Sequence, residues 1–326
     1  MSKLSESGQG EVYIVEHVEL GKSFAAKLLL NDSMQDPRAV DRFRRQAQSL
    51  GRLRHPNIVD ISGFGHTSSG VPFMLMELLK GWTIEEELCQ YGAVAPTLAC
   101  EWIAQILSAL EAVHDLGIVH RDVGPEHVFL HQPPQGPRQP KLTGFGLVRV
   151  ANGDRLGPTP LRIPTDMGVV VGNPRYSSPE AARGEPADAR SDLYQAGQLL
   201  LLMLIGARPI DSQHSIENWL TTASWRHLGM AAPGLSGLLS RALSPVAQQR
   251  FSSAGEFRKH VEQLRQELTA LPIGVELTLE PLHPEAARAT RTQMTARLAS
   301  WAIFVALVAL MAIVIVIVGI RLRGEP

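Results

Sequence analysis

The spacing of apolar residues changes character along the chain. Residues 11–30 (EVYIVEHVELGKSFAAKLLL) hold two stretches rich in β-formers around a glycine-containing turn, which predicts a hairpin. In residues 39–59, Val40, Phe43, Ala47 and Leu50 recur at spacings of three and four. That is one face of a helix, ended by the His55–Pro56 pair. VPFMLMELL (71–79) reads as a buried strand. Beyond it the helical period takes over. TLACEWIAQILSALEAVHDLG (97–117) carries Trp102, Ile103, Ile106, Leu107, Leu110 and Val113 on one stripe and stops at Gly117. The 193–209 stretch is strongly apolar, as in a buried helix. Residues 252–268 are amphipathic through Phe257, Val261, Leu264 and Leu268, and Ser253 and Glu256 are spaced as a capping box. A Pro/Gln/Gly-rich loop (131–140) separates two short apolar stretches, and 150–176 have no period, as in a long functional loop. Strands and one helix followed by a helix-rich half predict an α+β chain with a small β-rich lobe and a larger helical one.

The C-terminal pattern is different. Residues 298–320 carry no charge and are flanked by Arg297 and Arg321. As a helix they would span roughly 34 Å, enough to cross a hydrocarbon core of ~30 Å. This predicts a single transmembrane helix at 298–320, a juxtamembrane linker at 271–297 and a short tail at 321–326. The N-terminus MSKLSESGQGEVY has no apolar run and shows no secretory signal. The expected arrangement is a cytoplasmic domain held to the bilayer by a C-terminal anchor. With 31 basic and 32 acidic side chains the formal net charge is -1, which excludes a basic nucleic-acid binder. Cys89 and Cys100 are too few for a disulfide framework or a zinc cluster and fit a reducing compartment.

Five short motifs carry the chemistry: FAAK (24–27), HRD (120–122), KLTGFG (141–146), SSPE (177–180) and SDLYQAG (191–197). Their order and spacing resemble the protein-kinase catalytic domain, in particular bacterial membrane-anchored Ser/Thr kinases, over about residues 1–270. The resemblance implies a two-lobed kinase fold, with an N-lobe of about 1–79 and a C-lobe of about 80–270. It implies that Lys27 grips the α- and β-phosphates of ATP, a point charge on an anion. Gly10 falls in the phosphate loop, Val12 and Ala25 clamp the adenine, and Met76, Glu77 and Leu78 form the hinge strand. Asp122 takes the position of the base that orients the substrate hydroxyl, with Arg121 beside it. Glu180, Asp192 and Arg250 match structural positions: Asp192 braces the HRD backbone, and Glu180 and Arg250 form a buried ion pair.

Departures from the family pattern gather at one place. The three phosphate-loop glycines correspond to Ser5, Ser7 and Gly10, and a side chain at the first two obstructs close approach of phosphate. The glutamate that would pair with Lys27 falls at Gln46, and the catalytic-loop lysine at Gly124. The two metal-holding positions are His127 and Gly144. Mg²⁺ demands oxygen ligands in near-octahedral geometry, whereas imidazole suits softer metals. Glu126, Asp154 and Asp166 are carboxylates nearby in sequence, but no spacing favours any of them as a replacement. The expectations are weak ATP binding at most, a doubtful Mg²⁺ site, and a pseudokinase that signals by binding other proteins, among them an active kinase or its substrate. The alternative is a weakly or unconventionally active Ser/Thr kinase that still uses Lys27 and Asp122.

Overall fold

The computed structural model describes residues 2–7, 10–19, 21–29, single positions between 40 and 51, and 53–145, 149–150, 176–206 and 233–270. The β-formers at 11–30 do pair. β2 (Gly10–Glu16) and β3 (Ser23–Leu28) run antiparallel from Glu11 opposite Leu28 to Glu16 opposite Ser23. With β1 (Ser2–Ser7), β4 (Ile61–His66) and β5 (Pro72–Glu77) they form a five-stranded antiparallel sheet in the order β1-β2-β3-β5-β4. The first strand is where sequence and structure part. Ser5 and Ser7 are paired into β1, opposite Val12 and Gly10, so only residues 8–9 remain for the turn of the phosphate loop.

Pairing also sorts the side chains. Directly opposed residues of an antiparallel sheet share a face, and the period along each strand is two. Val12, Lys27 and Met74 form one row, and Ile14, Ala25 and Met76 the next, all on the same face. The described positions of the 40–50 segment are helical; Phe43, Ala47 and Leu50 are buried, and the Phe43 ring lies 5.9 Å from that of Phe64.

The second half is helical around a few short strands. β6 (Gly81–Thr83) leads into α1 (Ile84–Tyr91), whose Thr83 and Glu86 form a full capping box. α2 (Pro96–Asp115) buries the whole predicted stripe from Trp102 to Val113 against α6 (Ala254–Thr269) and α4 (Ala189–Ile205). Each fully buried Leu or Ile there contributes roughly 1.5–3 kcal/mol. α4 is buried from Ser191 to Ile205, which is why its sequence has no polar face. At α6 the expected box is altered: Ser253 caps the Glu256 amide, but the Glu256 carboxylate accepts from Ser252 rather than from Ser253. α3 (Pro179–Ala182) and α5 (Pro233–Ala242) complete the helices described.

Between α2 and α3 lie β7 (Ile118–Val119), a 3₁₀ turn at Pro125–His127, β8 (Val128–His131), β9 (Gln139–Leu142) and β10 (Arg149–Val150). β8 and β9 pair across the Pro-rich loop, with Val128 opposite Leu142. This hairpin carries His127 at one end and Gly144 just past the other. The two lobes are stitched together beside it. Asn57 donates to the Gln105 side chain and the Pro140 carbonyl, Ile58 bridges Leu142, and Lys141 pairs with Glu77 of β5 at 2.6 Å. The predicted linker, the transmembrane stretch 298–320 and the tail lie outside the described residues. No helix among the described residues is long and apolar enough to cross a membrane.

Candidate active site and its substitutions

The HRD segment is held in a conformation that it would not adopt unaided. Arg121 has φ 70°, the one positive-φ non-glycine residue among those described. Such a backbone costs on the order of 1–3 kcal/mol and persists only where the surroundings over-determine it. Here they do. The fully buried Asp192, in the first turn of α4, accepts from the amides of His120 and Arg121 at 2.8 and 2.7 Å. His114 at the end of α2 donates to the same carboxylate at 2.7 Å. Gln195, one turn along α4, accepts from the Val123 amide and donates to the Arg121 carbonyl. The predicted brace at Asp192 is in place; Gln195 and His114 are further members that single motifs did not reveal.

His120 is buried completely, donates through Nε2 to the Thr143 carbonyl at 2.8 Å, and packs edge-on against Phe145. Burial lowers its pKa, so the ring stays neutral. His120 thereby ties the HRD loop to residues 143–145.

There the two metal positions meet each other. His127 Nε2 lies 2.8 Å from an Asp122 carboxylate oxygen, and Asp122 is only 6 % exposed. Gly144 has φ 78°, and a Cβ built on it would lie 2.5 Å from both Cγ and Nδ1 of the His127 ring. The imidazole therefore occupies the space in which a side chain at 144 would begin. The lysine position repeats the pattern: a Cβ on Gly124 would come within 2.7 Å of Glu126 Oε2 and 3.3 Å of the Tyr176 ring. At both glycines a neighbouring side chain stands where a Cβ would begin. Mg²⁺ does not fit these residues, since one position offers no ligand and the other a nitrogen already engaged with Asp122. No cluster of three or more potential ligands occurs among the described residues.

The nucleotide half of the site is better preserved. Lys27 extends from β3 on the face shared with Val12, Ala25 and Met76. It is half-buried, desolvation lowers the pKa of its amine, and no carboxylate pairs with it among the described residues. Gly10 packs so closely on β3 that a Cβ would overlap the Leu28 carbonyl. Glu77 and Leu78 lead out of β5, but the Glu77 side chain is committed to Lys141 and the Asp60 amide. Gln46 lies outside the described residues, as do Asp154 and Asp166.

Away from the cleft, Arg250 makes a two-pronged contact with Glu180 at 2.8 and 2.7 Å and donates to the Ser244 carbonyl. The expected pair is formed and its arginine is fully buried.

Residues 1–262 match the protein kinase domain. Serine/threonine-protein kinase pkn2 of Myxococcus xanthus is 35% identical over 286 residues, covering 83% of this chain and 33% of that protein. Pkn3 of the same organism is 30% identical over 272 residues, covering 81% of this chain and 49% of pkn3. PknB of Mycobacterium leprae is 33% identical over 267 residues, with 78% and 41% covered. The chain thus spans only about a third to a half of the length of these curated relatives. Among solved structures, a double mutant of the Mycobacterium tuberculosis PknI kinase domain superposes with a TM-score of 0.61 at 25% identity. The match covers 81% of this chain and 94% of that one.

Proposed function

This chain belongs to the protein kinase family, and from that premise we propose that it is a degenerate member that signals by binding other proteins. The reading rests chiefly on His127, which lies over Gly144 and holds Asp122 at 2.8 Å. Phosphoryl transfer depends almost wholly on positioning and on metal ions that neutralise developing charge. With the metal positions filled from within, that neutralisation has no metal to supply it. The frame around it is intact, from Asp192 under the HRD backbone to the Glu180–Arg250 pair. An intact frame around a closed site suits a surface that engages an active kinase or its substrate.

The test is transfer of radiolabelled γ-phosphate by the whole chain, with Mg²⁺ and then Mn²⁺. Incorporation should not exceed that of an Asp122→Asn control. Incorporation that the control abolishes would establish the rival reading, a weakly active Ser/Thr kinase using Lys27 and Asp122.

We further propose that residues 298–320 anchor the protein in a membrane with the kinase-fold domain on the cytoplasmic side. The support is an uncharged stretch long enough to cross a bilayer. Deleting residues 298–326 should move the protein from the membrane pellet to the supernatant, and protease added outside intact cells should spare the intact chain. A deletion product that still pellets without aggregating would refute the anchor.

A further inference from the structure

The misfit between this cleft and Mg²⁺ has a second side. Where carboxylates hold a metal, they repel a bare polyphosphate once the metal is withdrawn, so nucleotide and cation bind as one. The charges here are arranged otherwise. Gly144 supplies no carboxylate, and His127 Nε2 stands 2.8 Å from the Asp122 carboxylate. Glu126, the other acidic side chain of this loop, lies against Gly124 beside Tyr176.

β3 supplies a cation. Lys27 is half-buried, with no carboxylate partner among the described residues. Its Cε lies 3.5 Å from the point where a Cβ on Gly10 would stand, so its stem runs beside the start of β2. Val12, Ala25 and Met76 share its face and offer an apolar surface for a base. A buried amine without a countercharge is costly, and an anionic ligand relieves that cost.

We infer that the cleft takes a nucleoside polyphosphate without a divalent cation. Lys27 is the countercharge of the phosphates, and the metal positions at His127 and Gly144 supply no oxygen ligand. The inference rests on the metal site being lost, as argued above, and adds that the phosphate seat has survived that loss.

Calorimetric titration of the full chain in detergent micelles with ATP, once in EDTA and once in excess MgCl₂, tests it. The two dissociation constants should agree within about twofold, and Lys27→Met should weaken both by roughly tenfold or more. The double variant His127→Asn/Gly144→Asp should make binding depend on Mg²⁺. Binding seen only with Mg²⁺, no binding in EDTA, or a folded Lys27→Met protein with unchanged affinity would each overturn the inference. If the double variant does not fold, the EDTA and Lys27→Met arms still decide. Radiolabel transfer in the same samples reports separately on the loss of catalysis, so the two readings fail by different measurements.

Discussion

Gly144→Asp, made alone, should destabilise the protein by about 2–4 kcal/mol, and His127→Asn in the same chain should return a good part of that loss. The new side chain enters a backbone at φ 78°, where a non-glycine residue costs on the order of 1 kcal/mol or more. Its Cβ would stand 2.5 Å from the His127 ring. The obstruction is the base of the ring rather than the tip of a flexible chain, so the imidazole must leave its rotamer. In leaving, it gives up its close contact with the buried Asp122 carboxylate. Asparagine at 127 is smaller and still has an N–H to offer. Denaturant unfolding of the two single variants and the double should therefore show a coupling of about 0.5–3 kcal/mol in favour of the double. Additive effects would mean that the two side chains do not compete for one space.

Arg250→Ala should cost about 3–5 kcal/mol, because removing one partner of a buried pair leaves the other charge uncompensated. The guanidinium also serves the carbonyls of Ser244 and Arg190 and lies 4.7 Å over the Tyr194 ring, so little else could satisfy the vacated groups. The same contact predicts an acid dependence. Burial alone would raise the Glu180 pKa, but the bonds from Arg250 and Ser191 outweigh it and bring it from 4.5 down to about 2. A carboxylate depressed in the folded state stabilises fully above its unfolded value and loses that contribution as pH falls through the folded one. Some 3 kcal/mol should thus disappear between pH 4.5 and 2. Unfolding curves across that window should fall steeply in the native chain and less steeply in Arg250→Ala; parallel slopes would refute this account.

Much of this could be read along the chain because the physics is local. The stripe from Trp102 to Val113 lies on one helix, and the hairpin of β2 and β3 announces itself through β-formers around Gly21. β1 was not legible as a strand, since SKLSES has no apolar alternation and is ordered only by its pairing with β2. The Ser253–Glu256 spacing predicted a reciprocal cap, yet the carboxylate turned to Ser252, a choice between adjacent donors that spacing cannot make. At the site, the motifs gave the identity of each substitution but not its consequence. His127 and Gly144 look like two separate losses on paper. Only the β8–β9 hairpin, by bringing its ends together, shows them to be one rearrangement in a shared volume.

That shared volume gives the two substitutions an order. Introducing an aspartate at 144 first meets a filled space and a strained backbone, whereas introducing an asparagine at 127 first empties the space while keeping a donor near Asp122. The two routes back contain the same substitutions and end at the same sequence, but only one avoids a deeply destabilised intermediate. With about 5–15 kcal/mol of total stability to draw on, a chain of this kind has little room for the other. The imidazole over Gly144 thus works as a ratchet: it leaves the fold standing while making the order of any reversal matter.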